Sequence, residues 1–490
     1  MTSIVTADHI GVIKIHDINT NKCIFNSSSF LKPSGVPVLH ISWVDQSNEQ
    51  YIVVAYADGL IQLIDTINDT LINTYTHCQS KSQSSKRSVY GNRIIPQCNR
   101  IAGLHVIKYN QTMDEANYDK IHDKYYLLTC SANGVLQFIE LILSAGTESN
   151  YTYTHHLSKS EYHNDHNIYD NQLHNITSCI YDDECGYLIL GGSEILPTVF
   201  QLKLDSITYG NTHIPTVGEK QMAWKTPPIM CIYQASNVPD TVLGIRIPVQ
   251  IKSIAMNPVN HRQFVTVTGV LVNYSSIEAI QQRSRIRIYD TSHDMKKDGE
   301  TTHCIADIEY IEYDINSVQY SGDGKYIIIG DNSGRTQLID CTTYKLTNRL
   351  KPATGAVSHI NIGHSVPVVD VSNNDNNDEV SEVQPVRVDE LVAVCSSDRH
   401  VRIHNLSSKQ MTYKLYCHQR LTQCMFSYKH MDAGNMKVEP TDSSMKDAGV
   451  DVRDTEIINE SADADDDDVW NELHKKTSIN KRRMKKNIVV

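Results

Sequence analysis

A chain of 490 residues, 40% hydrophobic and 21% charged, can bury a large core. Its 45 Lys and Arg against 57 Asp and Glu leave a net charge of −12, which excludes a uniformly basic nucleic-acid coat and confines any RNA contact to local patches. Twelve cysteines without a Cys-x-x-Cys pair exclude a zinc module or dense disulfide framework, so reduced intracellular thiols are expected. Apolar runs such as residues 51–57 fall far short of the roughly 18 needed to suggest a membrane span. Asp8 and Lys14 interrupt the N-terminus where a signal peptide needs an apolar core. A soluble protein that is not exported is expected.

From the N-terminus onward, short segments of alternating apolar and polar residues recur. Nothing between them sustains a 3.6-residue period, which predicts an all-β chain. Residues 3–25 supply a hairpin and one further strand. A unit then repeats: an apolar strand, a second ending in small residues, a turn, a third strand and a fourth. In third strands a glycine precedes an acid by six residues, at 11–17 (GVIKIHD), 59–65 (GLIQLID), 134–140 (GVLQFIE) and 334–340 (GRTQLID). Glycine-free copies lie at 284–290 (SRIRIYD) and 399–405 (RHVRIHN). The glycine belongs in a tight turn, where positive φ costs little only for Gly or Asn.

Full units at 37–75, 99–160, 174–235, 249–310, 313–350 and 355–417 make six. The N-terminal strands and an orphan strand at 421–428 make a seventh. Four strands at this spacing resemble the blades of WD-repeat propellers, with the Trp-Asp ending degraded to Ile-Asp, Tyr-Asp or His-Asn. The prediction is an all-β, seven-bladed WD-repeat β-propeller over residues 1–428. Strands from both ends close the ring and leave no exposed sheet edge.

Polar insertions at 78–98, 111–124, 144–175, 205–221, 270–283 and 365–390 are expected to be irregular surface loops. Within them His155, His156, His163, His166 and His174 match no metal-ligand spacing, so they are read as low-complexity loop, with no metal and no other cofactor expected. Catalytic motifs are missing: there is no Gly-x-Ser-x-Gly elbow, phosphate loop, Gly-x-Gly-x-x-Gly or His-Glu-x-x-His. A non-enzymatic protein without a small-molecule substrate follows as the expectation. Asp323 is assigned to a hairpin turn, and Asp58 and Asp398 to turns whose backbone amides they accept. Lys14, Arg287 and Arg402 alternate with apolar neighbours on third strands and are read as solvated.

Beyond residue 428 the composition changes. Residues 430–474 hold 14 acids against 3 bases, and residues 475–490 hold seven bases and no acid. Residues 429–490 are therefore read as a disordered tail, acidic and then basic. Trp470 and Leu473, three apart, share one face of a short helix suited to docking in a groove. The cluster Lys475, Lys476, Lys481, Arg482, Arg483, Lys485 and Lys486 suits nuclear import or contact with RNA phosphates.

The segment 236–249 (SNVPDTVLGIRIPV) joins the outer strand of one unit to the inner strand of the next. Through Asn237, Val238, Asp240, Leu243, Arg246 and Pro248 it resembles the Asn-Val-x-x-Asp-x-Leu-x-Leu-Arg-Val-Pro signature of the WD-repeat assembly factors of the large ribosomal subunit, present in fungi and animals. The likeness continues at 264–269, 287–290, 328–330, 391–403 and 421–424. In the tail, 468–473 (DVWNEL) is similar to the family's acidic Leu-Trp-x-x-Leu element, followed by its Lys/Arg cluster. Gly244 stands where the family has an acid, and Gln250 where it has a Trp.

The resemblance implies a scaffold of nucleus and nucleolus that joins large-subunit ribosome assembly factors and pre-rRNA and is released by an AAA-type ATPase. Partner or rRNA contacts are assigned to Asn237, Asp240 and Arg246, and to Arg399 and His400 on the same rim. The alternative is a WD-repeat adaptor of another complex, such as a ubiquitin-ligase substrate receptor. No membrane association is expected.

Overall fold

The structure is a computed structural model. It describes residues 3–77, 87–90, 93–96, 100–109, 124–143, 152–157, 175–203, 229–237, 247–269, 284–292, 304–310, 313–364 and 390–428. Seven four-stranded antiparallel sheets each pair in order from inner to outer strand. Blade 1 is Val38–Trp43, Tyr51–Tyr56, Leu60–Asp65 and Thr70–Thr76; blade 2 is Ile101–Tyr109, Lys124–Ser131, Val135–Leu141 and Thr152–His156. Blade 3 is Ile176–Asp182, Tyr187–Gly192, Ile195–Leu202 and Ile229–Gln234; blade 4 is Ile251–Met256, Gln263–Thr268, Ser284–Asp290 and Ala306–Tyr310. Blade 5 is Ile315–Tyr320, Tyr326–Asp331, Thr336–Asp340 and Leu346–Arg349; blade 6 is Val357–His364, Glu390–Ser396, His400–Asn405 and Met411–Tyr416. Blade 7 draws on both ends of the ring: Leu421–Ser427 pairs with Ser3–Asp8, followed by Ile13–Asp17 and Lys22–Asn26. The seven-bladed propeller expected from the repeat is the observed fold. The chain divides into units 1–431 and 432–490, and the tail lies outside the described residues.

The core is seven wedges, one between each pair of neighbouring blades. Second strands are packed on both faces, so Ile52, Val53, Val54 and Ala55 are all fully buried, as are Ile327, Ile328 and Ile329. Alternation therefore fails in these strands and they become continuous apolar runs. The same packing overturns the reading of the third-strand bases as solvated: Arg287 and Arg402 are each only 5% exposed, because their strands too lie between two blades. Each takes an acid with it, Arg287 Nε lying 3.4 Å from Asp307 and Arg402 Nη2 2.7 Å from Asp398. Lys14 is half-buried.

Two further corrections concern the insertions. His155 and His156 pair with Leu136 and Val135 in the outer strand of blade 2 and are not loop. The β-prone residues 152–154 can satisfy their backbone groups on the open edge of Val135–Leu141 despite polar surroundings. Inside the segment read as irregular at 78–98, Arg87–Tyr90 pairs with Arg93–Pro96.

Every inner strand carries a bulge at its second residue. The register skips Leu39, Ala102, Thr177, Lys252, Asn316, Ser358 and Thr422 in turn. A bulge bends the strand and re-aims side chains, and here polar groups bridge each blade to the next. His40 Nε2 donates to Ile101 O at 3.3 Å, His105 Nε2 to Cys179 O at 3.2 Å, and Thr177 Oγ1 to Ile251 O. Lys252 pairs with Asp314, and Asn316 Nδ2 donates to Val357 O at 3.2 Å. Asn361 Oδ1 accepts Phe426 N at 3.1 Å, and Gln423 Nε2 donates to Leu39 O at 2.6 Å, completing the circuit of seven.

Candidate functional site

Turns between second and third strands share one rim with the connections that enter each next blade. The backbone shows it: His77 N donates to Gly59 O, Leu157 N to Gly134 O and Cys417 N to Arg399 O. In four of these turns glycine takes the left-handed conformation, with φ of 90° at Gly11, 87° at Gly59, 73° at Gly134 and 94° at Gly334. In blade 3 the position belongs to Glu194, at φ 59°, and in blade 6 to Arg399, at φ 72°. A residue with a Cβ pays about 1–2 kcal/mol there. At Arg399 the result is an exposed guanidinium on the rim.

Asp398 organises this turn. It accepts His400 N at 3.1 Å, Thr354 N at 3.0 Å, Ser396 Oγ and Arg402 Nη2. The assignment of Asp398 to backbone amides holds, and the buried ion pair with Arg402 adds to it. Asp58 likewise accepts Leu60 N at 3.2 Å, and Asp323 accepts Lys325 N at 3.0 Å in its hairpin turn. His400 Nδ1 donates to Asp398 O at 3.0 Å, and its ring lies 5.0 Å from that of Tyr416. Tyr416 in turn lies 4.7 Å from His418 at an interplanar angle of 65°. Arg420, also exposed, follows on the same loop, where its carbonyl accepts His9 N at 3.1 Å. Blade 6 and blade 7 thus meet at a cationic, aromatic rim. Sequence reading missed Lys414, Tyr416 and His418, although their period-2 spacing at the end of an outer strand is a usable signal.

Asn237 begins the connection from blade 3 to blade 4 on this same rim, and its Nδ2 donates to Ile247 O at 2.8 Å. That bond ties together the two ends of the segment 238–246. Asp240 and Arg246 lie outside the described residues, as do Trp470, Leu473, Lys475, Lys476, Lys481, Arg482, Arg483, Lys485 and Lys486. Asn237 is three blades from Arg399, so the two share a face without forming one cluster.

Titration of buried groups gives a testable pH dependence. Burial, helped by Lys14, pushes His16 down to about 4. Burial, helped by Arg402, does the same to His404. Both imidazoles are neutral in the folded chain and protonate first in the unfolded one, whose value is 6.5. Their contribution is complete above the unfolded value and is lost as pH falls towards 4, on the order of 1 kcal/mol each near pH 5 after screening. Asp398 behaves differently: burial would raise it, but the bonds from Arg402, Ser396 and Thr354 N outweigh burial and hold it well below 3.8. Its contribution survives down to that value and fades below it. Thermal melts should show a lower melting temperature at pH 5 than at pH 7; a flat profile would contradict the neutral buried imidazoles.

No protein-family model matches the chain. A WD repeat-containing protein of Dictyostelium discoideum is 25% identical over 144 residues, which is 29% of this chain and 23% of that protein. WD repeat-containing protein 74 of Bos taurus is 23% identical over 220 residues, 44% of this chain and 46% of that protein. The chain spans less than half the length of either curated relative. Seven four-stranded blades in a closed ring make the chain a seven-bladed β-propeller, and its partial likenesses are to WD repeat-containing proteins.

Proposed function

We propose that the chain is a non-enzymatic scaffold of ribosome biogenesis that joins assembly factors and pre-rRNA in nucleolar precursors of the large subunit. The observation that carries this reading is the rim at blade 6, where Arg399 is held exposed in the left-handed backbone conformation that glycine takes in four of the sister turns. Around it His400, Tyr416, His418 and Arg420 offer cations and ring faces to phosphate, to bases or to an acidic partner. Support also comes from the resemblance of residues 236–249 to the assembly-factor signature, in which Asn237, Asp240 and Arg246 contact partner or rRNA. In the tail, Trp470 and Leu473 dock on a partner protein. The seven bases from Lys475 to Lys486 serve nuclear import or RNA phosphate contact, and release from the particle falls to an AAA-type ATPase.

Reversing charge on this rim tests the reading. Arg399→Glu with Arg420→Glu changes only exposed side chains, so the melting temperature should hold while co-sedimentation with large-subunit precursors drops. Misplaced charge at an interface typically costs several kcal/mol. Unchanged sedimentation would remove this rim from the contact.

A further inference from the structure

Below the Arg399 rim, a cleft of about 420 Å³ runs between the outer strand of blade 6 and the third and fourth strands of blade 7. Its walls include Lys14, His16, Asn21, Asn26, Lys414 and Tyr416, and no acid is among the lining residues. Lys14 and Lys414 make no ion pair among the described residues. Neighbouring carboxylates bond other groups, Asp8 accepting Ile10 N and Val12 N and Asp17 accepting Asn19 N and Thr20 Oγ1, and Asp8 acts on Lys14 through space without an ion pair. His16 is only 8% exposed, and its Nε2 is buried with no hydrogen-bond partner. A buried polar group left unsatisfied is uncommon and asks for an explanation. At the mouth, Tyr416 is 45% exposed and stands between the rings of His400 and His418.

We infer that this cleft seats one nucleotide of single-stranded RNA, with its phosphate between Lys14 and Lys414, a phosphate oxygen on His16 Nε2, and its base against Tyr416. The inference rests on the RNA contact proposed above and adds where the strand lies. Two unpaired ammonium groups on one cleft attract a phosphate. Burial keeps His16 neutral, so its ring can carry the proton on Nε2 and donate it without bringing a second buried charge. An exposed aromatic ring beside a cationic groove is the arrangement that holds single-stranded bases without reading their sequence. A phosphorylated peptide would use the lysines but not the ring. The volume lies near the lower end of small-ligand clefts, about 300–1,000 Å³, which suits one nucleotide and excludes a duplex.

The test is fluorescence anisotropy of the full chain with a labelled single-stranded RNA oligonucleotide over a salt series. Lys14→Gln with Lys414→Gln should weaken binding at least tenfold and lower the slope of log affinity against log salt by about 0.7, the contribution of the one single-strand phosphate they share. Tyr416→Ala should weaken binding about tenfold with the slope unchanged. Lys414→Gln alone, at an exposed position, keeps the test valid if the double variant folds poorly, and should lower affinity and the slope in the same direction by a smaller amount. Wild-type affinity in these variants while the wild-type chain binds RNA would overturn the cleft and leave the scaffold reading standing. A phosphoserine peptide that binds the cleft when RNA does not would overturn it in favour of a protein partner. If the wild-type chain binds no RNA at all, the cleft inference and the proposed rRNA contact both fall, while co-purification with assembly factors still judges the scaffold.

Discussion

Ending the chain at residue 418 is expected to abolish the soluble folded propeller, whereas ending it at 430 should leave its melting temperature unchanged. The difference is the strand Leu421–Ser427, which pairs along its length with Ser3–Asp8. It buries Leu421, Cys424 and Phe426 almost completely in the wedge between blades 6 and 7. At about 1.5–3 kcal/mol per large buried side chain, Leu421 and Phe426 alone supply roughly 3–6 kcal/mol. Whole domains have only about 5–15 kcal/mol of net stability. The strand is also clasped by its neighbours. Trp43 Nε1 donates to Phe426 O at 3.3 Å, while the buried Glu49 accepts Ser427 Oγ at 2.6 Å and Tyr428 N at 2.8 Å. Removing it leaves two open edges, on Ser3–Asp8 and at the seam with blade 1, which invite aggregation. Equal solubility and melting of the two truncated chains would show that blade 7 is not the closure.

Asp398→Ala is expected to be the most destabilising single change on the rim, by about 3–5 kcal/mol. It would leave the Arg402 guanidinium buried without its carboxylate, which is the costly way to break an ion pair. Thr354 N and His400 N would lose their acceptor at the same time. Asp398→Ala combined with Arg402→Met should recover much of the loss, because replacing both partners removes the stranded charge. Urea denaturation of the two variants makes the comparison. A single variant that loses less than about 1 kcal/mol would mean that the pair carries little net weight.

The repeat was legible because a tight turn imposes a backbone demand that few residues meet. Gly59, Gly134 and Gly334 announce it, and the blades follow at their spacing. Closure was legible for a similar reason, since an orphan strand at 421–428 and a three-strand start each lack what the other has. Burial of charge was not legible. Arg287 and Arg402 alternate with apolar residues as solvated bases do, and only the neighbouring blade, far away in sequence, makes their outward face an interior one. The bulge ring was also hidden, although the pairs Thr177-Ser178, Lys252-Ser253 and Asn316-Ser317, each following an isoleucine, carry its trace. A bulge is a feature of pairing between strands, and local pattern reports it only faintly. At the candidate site, Arg399 stood out for lacking the expected glycine. The Tyr416–His418 rings escaped notice because a single exposed aromatic on an outer strand is ordinary until its neighbours are known.

Affinity purification of the tagged full chain, with sizing of the co-purified RNA and identification of the bound proteins, tests the scaffold reading most directly. The account predicts precursor rRNA of the large subunit together with large-subunit assembly factors, both reduced by Arg399→Glu with Arg420→Glu. Recovery of ubiquitin-ligase subunits without ribosomal RNA would contradict it.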